Sequence, residues 1–357
     1  MKQQPLGTGY SGKTTAEEII AGIDLRGKTA IVTGGYAGIG LETVRILSQA
    51  GAEVWAPARD MAKAEKALTG VMGRSGDAEV RRGRVIVRPL DLMDPKSIDA
   101  FAAEFLAAGK PLDLLINNAG IMWVPLRRDA EGNESQLSTN HLGHFRLTAR
   151  LWPAAASGRM SPSSAGGAKV NAGSGARVVN VSSFGHQIAP FDFDDPNFER
   201  RGYESLNGYG QSKTANNLFT VELDRRGAKF GVRAYAVHPG AVNGTDLGRE
   251  APMELFIQMG THDVSGKIKP EVEARLKTVA QGAATTVWCA VSPMLNAVGG
   301  VYCEDGDIAE LDEGQIEHRY DDPASLRGVR PYSVDEGNAR RLWEWTEART
   351  GVKFPVN

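Results

Sequence analysis

The chain has 357 residues, 41% of them hydrophobic, and a formal net charge of −2. That is enough apolar material for one large core or two modest ones, and the balanced charge, with no clustered basic face, speaks against nucleic acid as a partner. Two cysteines, Cys289 and Cys303, exclude a disulfide framework and a zinc ribbon and suit a reducing, cytoplasmic compartment. No basic leader precedes an apolar run, and no stretch reaches the ~18 apolar residues of a membrane span, so neither export nor spanning is expected.

At the N-terminus, GTGYSGKT, Gly7 to Thr14, satisfies the phosphate-loop pattern G-x-x-x-x-G-K-[ST]. That loop works only where a buried strand delivers the chain into the turn, and MKQQP supplies none. The following TTAEEIIAG reads instead as a short helix opened by a capping box, with Thr14 or Thr15 facing Glu17 or Glu18. Nucleotide hydrolysis through Lys13 is therefore not expected. From there, short apolar runs alternate with helical patterns in the β-α-β rhythm of a parallel sheet covered on both faces. Strands are predicted at KTAIVTG from Lys28, AEVWAPA from Ala52, RVIVRPL from Arg84, DLLINNAG from Asp113, RVVNVSS from Arg177, VRAYAVHPG from Val232, and near Val298 to Tyr302. Helices are predicted after Ile39, Asp60, Asp94, Glu134, Gly208 and Gln281, each opening near a capping residue or a glycine. The Gly, Ser and Ala content of 154–176 marks a mobile surface insertion. VDEGNARRLWEWTEART predicts a terminal helix on which Trp343 and Trp345 cannot share a face, one packing on the core and the other meeting a partner subunit.

A second glycine stretch has the context that the first lacks. In KTAIVTGGYAGIGLETVRILSQAGAEVW, the residues Gly34, Tyr36, Ala37, Gly38, Ile39 and Gly40 lie between a predicted strand and an amphipathic helix. Glycines there let the backbone turn tightly and approach a pyrophosphate, while the free N–H groups of the helix start attract anions. With this stretch in place the chain resembles the short-chain dehydrogenase/reductase family. TGGYAGIG, LDL at Leu90 to Leu92, NNAG at Asn117 to Gly120, NHLG at Asn140 to Gly143, VVNVSS at Val178 to Ser183, YGQSK at Tyr209 to Lys213 and HPG at His238 to Gly240 follow that family's motifs in order. The stretch from SSFGH through FDFDDPNF to YGQSKTANNLFTVELDRRG, with the later QGAATTVWCAVSP, is most similar to the retinol-dehydrogenase-like branch. The resemblance implies a single doubly wound, Rossmann-type α/β domain over 25–303, with an N-terminal extension 1–24, a substrate lid 245–280 and a C-terminal extension 304–357. It also implies a homodimer or homotetramer.

Residue chemistry points the same way. Tyr209 and Lys213 stand four apart on a predicted helix and so on one face. A phenol of pKa near 10 needs a depression of two or three units, about 3 to 4 kcal/mol, to act as a base at neutral pH. An ammonium at about 4 Å supplies roughly that at an effective dielectric near 20, helped by an oxidised nicotinamide. Tyr209 then takes or gives the hydroxyl proton as hydride moves. Strand alternation sends Ser183 and Ser182 to opposite faces, and the resemblance places Ser183, the second serine of VSS, at the substrate oxygen. The resemblance makes Asn140 the holder of a water linking Lys213 to solvent.

For the cofactor, Ala58 stands where the resemblance places a ribose-binding acid, and Arg59 follows it, which favours NADP(H) over NAD(H). Asp91 and Leu92 border the adenine, and Asn118, Ala119 and Gly120 the ribose. Pro239, Gly240, Val242 and Thr245 face the nicotinamide together with Tyr209 and Lys213. Where the family has V-x-T this chain has Val242-Asn243-Gly244-Thr245, one residue longer and able to turn at Asn243-Gly244. Phe256, Met259, Met122, Trp123 and Phe184 suggest an apolar pocket for a bulky hydrophobic alcohol, ketone or aldehyde. His141 and His144 lack a third ligand and are expected to pack in a helix rather than bind metal; His238 is expected to be structural and His186 to reach the substrate. The competing reading is a dinucleotide-binding sensor or scaffold without turnover.

Overall fold

A computed structural model describes residues 3–71, 83–157 and 175–355. Its strands are β1 (Thr29–Val32), β2 (Glu53–Ala58), β3 (Val85–Pro89), β4 (Leu114–Asn117), β5 (Arg177–Val181), β6 (Arg233–His238), β7 (Val301–Glu304) and β8 (Asp307–Ile308). They form one sheet in the order β3-β2-β1-β4-β5-β6-β7-β8, parallel up to β7, with β8 antiparallel to it. Each strand's apolar run divides between the two faces. On β1, Ile31 joins one core, whereas Ala30 and Val32 join the other. The seven predicted strands are present; β8, two residues long, is too short for its pattern to register in the sequence.

The helices are α1 (Ala16–Ile20), α2 (Gly38–Gln49), α3 (Met61–Thr69), α4 (Pro95–Ala107), α5 (Ser135–Leu137), α6 (Gly143–Ser157), α7 (Ser205–Gly227), α8 (Met253–Gln258), α9 (Pro270–Glu273), α10 (Val279–Val291) and α11 (Glu336–Thr350). Residues of α1, α2 and α10 fill the core on one face of the sheet, and those of α4, α6, α7 and α11 fill the other. The start and end signals decide where these helices begin. Asp60, Asp94 and Asp335 cap α3, α4 and α11, and Thr278 opens α10 with a capping box. The box predicted near the N-terminus is also there, closed by Thr15 and Glu18 ahead of α1. Of the expected insertion, 154–157 are the last turn of α6, and 158–174 lie outside the described residues.

The loop GTGYSGKT has an anion after all, one from its own chain. The backbone N–H groups of Leu6, Gly7 and Thr8 converge on the Asp307 carboxylate at 2.8, 2.8 and 3.1 Å, with Gly7 in the left-handed region at φ 73°. The Gln3 amide pins the same segment to β7, donating to Tyr302 O and Ala309 O at 2.7 Å and accepting from Tyr302 N at 2.9 Å. Amides that would cradle a phosphate are therefore spent on fixing the N-terminal segment to the sheet edge.

At the far end, α11 lies along α7. Trp343 is 2% exposed and packs against Phe145, Phe219 and Phe354, with ring centroids 5.2, 5.9 and 4.7 Å apart. Trp345, on another face of the helix, is partly buried and packs on Phe191 of the same chain at 5.1 Å. The face that α6 and α7 present is thus covered from within. Replacing Trp343 by Ala removes the centre of this cluster and should lower stability by about 3–5 kcal/mol; denaturant unfolding measures the loss, and light scattering should show new self-association through the uncovered face.

Candidate active site

The C-terminal ends of β1, β4, β5 and β6 and the loops after them border a cavity of about 890 Å³. Parallel strand order reverses between β1 and β4, which opens the crevice in which such sheets take ligands. Every residue assigned to the dinucleotide in the sequence lines it: Gly34, Tyr36, Ala37, Gly38, Ile39, Gly40, Arg59, Asp91, Leu92, Asn118, Ala119, Gly120, Tyr209, Lys213, Pro239, Gly240, Val242 and Thr245. Ser183 lines it as well, as do the expected pocket residues Met122, Trp123, Phe184, Phe256 and Met259.

The residues present fit a dinucleotide phosphate group. Unlike α3, α4, α10 and α11, α2 has no capping side chain; its first turn also carries no acidic residue, so its N–H groups stay available to an anion. A side chain at Gly40 would collide with the Gly34 carbonyl and the Asn118 amide, so only glycine brings helix and loop this close. Thr33, which the sequence reading passed over, locks the loop from beneath. Its hydroxyl accepts from Asn118 N and Ala119 N at 2.9 and 3.0 Å and meets His144 Nε2 at 2.9 Å. His144 and His141 diverge, the first bonded to Thr33 and the Asn140 carbonyl, the second to Thr346 Oγ1 at 3.0 Å. Burial pushes His144 down to about 4 and His141 down to about 3, so both are neutral packing groups.

Around the adenosine end Ala58 is buried, and Arg59 and Asp60 reach the cavity. A second cation joins them: Lys63 on α3, whose Nζ stands 3.3 Å from Asp246. The longer V-x-x-T segment turns as expected. Gly244 has φ 77° and its N–H bonds Asn243 Oδ1 at 2.8 Å, while Asn243 N donates to Lys277 O at 2.9 Å.

Tyr209, Ser183 and Lys213 come together at the cavity floor. Helix α7 starts at Ser205, three residues before the predicted point, and carries Tyr209 and Lys213 on one buried face. Ser183 follows β5, and its Oγ accepts from Gly185 N at 3.0 Å, which frees its hydrogen for the Tyr209 oxygen. Ser182 turns away and donates to the Lys213 carbonyl at 3.1 Å. Gly185 packs against the Tyr209 ring so closely that a β-carbon there would strike it.

The electrostatics depart from the simple expectation. Burial raises the Tyr209 phenol to about 12, and the Ser183 hydrogen bond draws it back only in part. Burial also pushes the Lys213 ammonium down to about 7. Its Nζ lies 5.5 Å from the centre of the Tyr209 ring and donates to Val181 O at 2.9 Å. Burial thus disfavours the charged form of the lysine, and the group that lowers the phenol here is the Ser183 hydroxyl rather than the ammonium. Asn140 does not line the cavity; its amide bonds the backbone of Ile121 at 2.9 and 3.0 Å and Ser212 Oγ at 3.0 Å. It sits in a π-helical turn, Ser138–Leu142, a local irregularity of a kind that gathers at functional sites.

Two histidines behind Ser183 are neutral, pushed by burial to about 4 (His186) and about 3 (His238). His238 Nδ1 accepts from Phe184 N and Gly240 N at 3.1 and 3.3 Å, leaving Nε2–H for Leu326 O at 3.1 Å. His186 corrects its expectation. It does not line the cavity; its Nδ1 meets Ser183 O at 2.8 Å, and its Nε2 accepts from Arg330 N at 3.2 Å. Both thus tie the Ser183 loop to the C-terminal extension, which supplies Tyr320, Pro323 and Leu326 to the cavity wall. No sequence signal marks these three residues, since they sit in a polar, Pro-bearing loop.

The comparisons agree with this geometry. A family model described as short chain dehydrogenase matches residues 28–191. A probable oxidoreductase of Streptomyces antibioticus is 42% identical over 90% of this chain and 97% of its own length. Retinol dehydrogenase 12 of Homo sapiens is 38% identical over 93% of this chain and 89% of its own. The chain belongs to the short-chain dehydrogenase family, in its retinol-dehydrogenase-like branch. Among solved structures, an uncharacterised protein from Mycobacterium paratuberculosis superposes with a TM-score of 0.64 at 30% identity, covering 95% of this chain and 98% of its own. The NADP complex of Pseudomonas aeruginosa RhlG shares the fold at a TM-score of 0.55 and 21% identity, over 79% of this chain and 95% of its own. This family member has no helix, among the described residues, long and apolar enough to cross a membrane.

Beneath His238, its β7 neighbour Glu304 is enclosed, and burial raises its carboxyl to about 7. A raised carboxyl contributes stability that is complete below its ordinary pKa and is lost as pH rises through the folded value. Glu304→Gln should therefore melt with wild type at pH 5 and a few degrees above it at pH 8.5, at about 2 °C per kcal/mol for a chain of this size, in calorimetric scans at the two pH values.

Proposed function

We propose that this protein is an NADP(H)-preferring oxidoreductase interconverting a bulky apolar alcohol and its ketone or aldehyde, with Tyr209 as general acid and base. The observation that carries the reading is the meeting of Tyr209, Ser183 and Lys213 at the floor of the same cavity that holds the glycine cradle. A dinucleotide bound there supplies the hydride acceptor or donor at its nicotinamide. The chain's own residues do the rest. Ser183 donates to the substrate oxygen and to the phenol in turn, and Tyr209 takes the alcohol proton or returns it to the carbonyl. Lys213 passes that proton on, suited to the task by a pKa near neutrality. Asn140 acts as a positioning residue that props the Gly120–Ile121 backbone beside Lys213.

Arg59 and Lys63, with Ala58 closing β2 and the Asp60 carboxylate engaged in capping α3, support a 2′-phosphate over a bare ribose. NAD(H) is the alternative cofactor. The reading includes a cytoplasmic protein with both cysteines free and buried, and a homodimer or homotetramer built on surfaces other than the α6–α7 face that α11 covers. A sensor or scaffold without turnover would need the cradle but not the serine–tyrosine–lysine cluster.

Tyr209→Phe should lower alcohol oxidation by about 10³-fold, within the span expected for a lost general base, and leave NADPH affinity within threefold. Absorbance at the reduced nicotinamide band follows turnover, and fluorescence titration follows binding. Wild-type inactivity across an alcohol and aldehyde panel would favour the sensor. Arg59→Ala combined with Lys63→Ala should weaken NADPH at least tenfold and NADH hardly at all, since only a phosphate uses the two charges.

A further inference from the structure

The segment Leu311 to Arg330 is a closed strap. Its ends meet in a bridge between Leu311 and Val329, and its interior is organised by one buried carboxylate. Asp312 accepts from Gly314 N at 2.9 Å and Ile316 N at 3.3 Å, and it pairs with His318 Nε2 at 2.7 Å and Arg330 Nη1 at 3.4 Å. His318 turns its other nitrogen to Ser325 O at 2.9 Å, and Ser325 Oγ accepts from Arg319 N at 2.8 Å. A loop satisfied to this degree keeps its shape.

The strap is anchored on both sides of the cavity. Toward the sheet, Leu326 O, Gly328 N and Arg330 N are taken by His238, Glu304 and His186 at 3.1, 2.8 and 3.2 Å. Toward the lid, Asp322 faces Arg275 at 3.3 Å, and Asp321 packs over Gly260. Between these anchors Tyr320, Pro323 and Leu326 face the cavity, with the Tyr320 ring edge-on to Phe184 at 6.2 Å and His318 edge-on to Phe184 at 4.8 Å. Phe184 is the residue after Ser183. The wall therefore stands one side chain away from the group that fixes the reacting oxygen.

We propose that this strap is the specificity wall of the substrate chamber, and that Tyr320 sets how long an apolar tail the chamber admits. The inference rests on the oxidoreductase reading and deepens it. A substrate whose oxygen meets Ser183 and Tyr209 has its tail directed along Trp123, Phe256 and Phe184, and the Tyr320 ring ends that path. Its hydroxyl makes no hydrogen bond within the described chain, so the ring acts through its bulk.

The test uses saturated aldehydes from butanal to hexadecanal, reduced by the full-length protein with saturating NADPH or NADH. The quantity read is the ratio of kcat/KM for hexadecanal to that for hexanal. Tyr320→Ala should raise this ratio at least tenfold, Leu326→Ala should raise it less, and Tyr320→Phe should keep the wild-type ratio. A ratio within twofold of wild type in both alanine variants overturns the wall, as does an equal fall for every chain length. In parallel, the corresponding alcohols displace N-phenyl-1-naphthylamine from the protein, a readout that needs no turnover. Stronger displacement by hexadecanol in Tyr320→Ala, at least fivefold, with no aldehyde reduced by any form, keeps the wall and sinks the oxidoreductase reading. Turnover with an unchanged length profile does the reverse. Melting curves identify an alanine variant that has not folded, and the remaining one then decides.

Discussion

The site depends on a lysine ammonium buried without a counter-ion. Among the described residues Lys213 makes no ion pair; a carbonyl oxygen, Val181 O, takes one of its hydrogens, and burial holds its pKa near 7. A carboxylate partner would keep the charge on permanently and leave the lysine inert as a proton carrier. With a carbonyl partner the charge is marginal, and whatever else enters the cavity decides it. The same burial raises Tyr209, so it disfavours the charged form of the phenol and of the amine alike. That fits a site whose chemistry belongs to a bound dinucleotide and whose own residues handle only the proton.

Preserving that state requires that neither group move toward water, and the surrounding packing provides this in layers. Gly185 lies against one side of the Tyr209 ring, and Trp123 meets it edge-on at 6.4 Å. Beneath, Asn117, Asn180, Thr148 and Thr220 bond one another across β4, β5, α6 and α7, at 2.8 Å between the two asparagines and 2.9 Å from Asn180 to Thr220. The Asn117 and Asn180 amides each donate along this ladder, so the floor is fixed without a charge that would compete with Lys213.

Motif residues were legible in the sequence because their roles are local. A strand end, a glycine turn and a helix face each follow from a few neighbours, and the parallel sheet then gathers such segments at one edge. Tyr209 with Lys213 and the glycine cradle follow from spacing in this way, while alternation separates Ser183 from Ser182 and the family resemblance chooses between them. What was not legible depends on contacts between distant parts of the chain. The amides of Leu6 to Thr8 look like a phosphate loop until Asp307, some 300 positions on, occupies them. Trp345 looks free until Phe191 meets it, and the field of Lys213 looks strong until its burial is known. His186 shows the same limit at short range: three residues from Ser183, it points away from the cavity because Arg330 N waits on the other side.

The C-terminal extension thereby ceases to be an appendage. Its strap reaches the catalytic loop through two imidazoles, each neutral and each with one nitrogen accepting and the other donating. A neutral imidazole of fixed tautomer is a rigid spacer with a hydrogen bond at either end, and burial well below the ordinary histidine range keeps it so across the pH values at which the phenol has to act. Charged spacers would place a positive field beside Ser183 and lose it as pH rises. Neutral ones transmit position alone. Ser183, the strap and the segment around Arg275 are therefore joined by hydrogen bonds, so that under the proposed reading the shape of the wall and the placement of the Ser183 hydroxyl are set together.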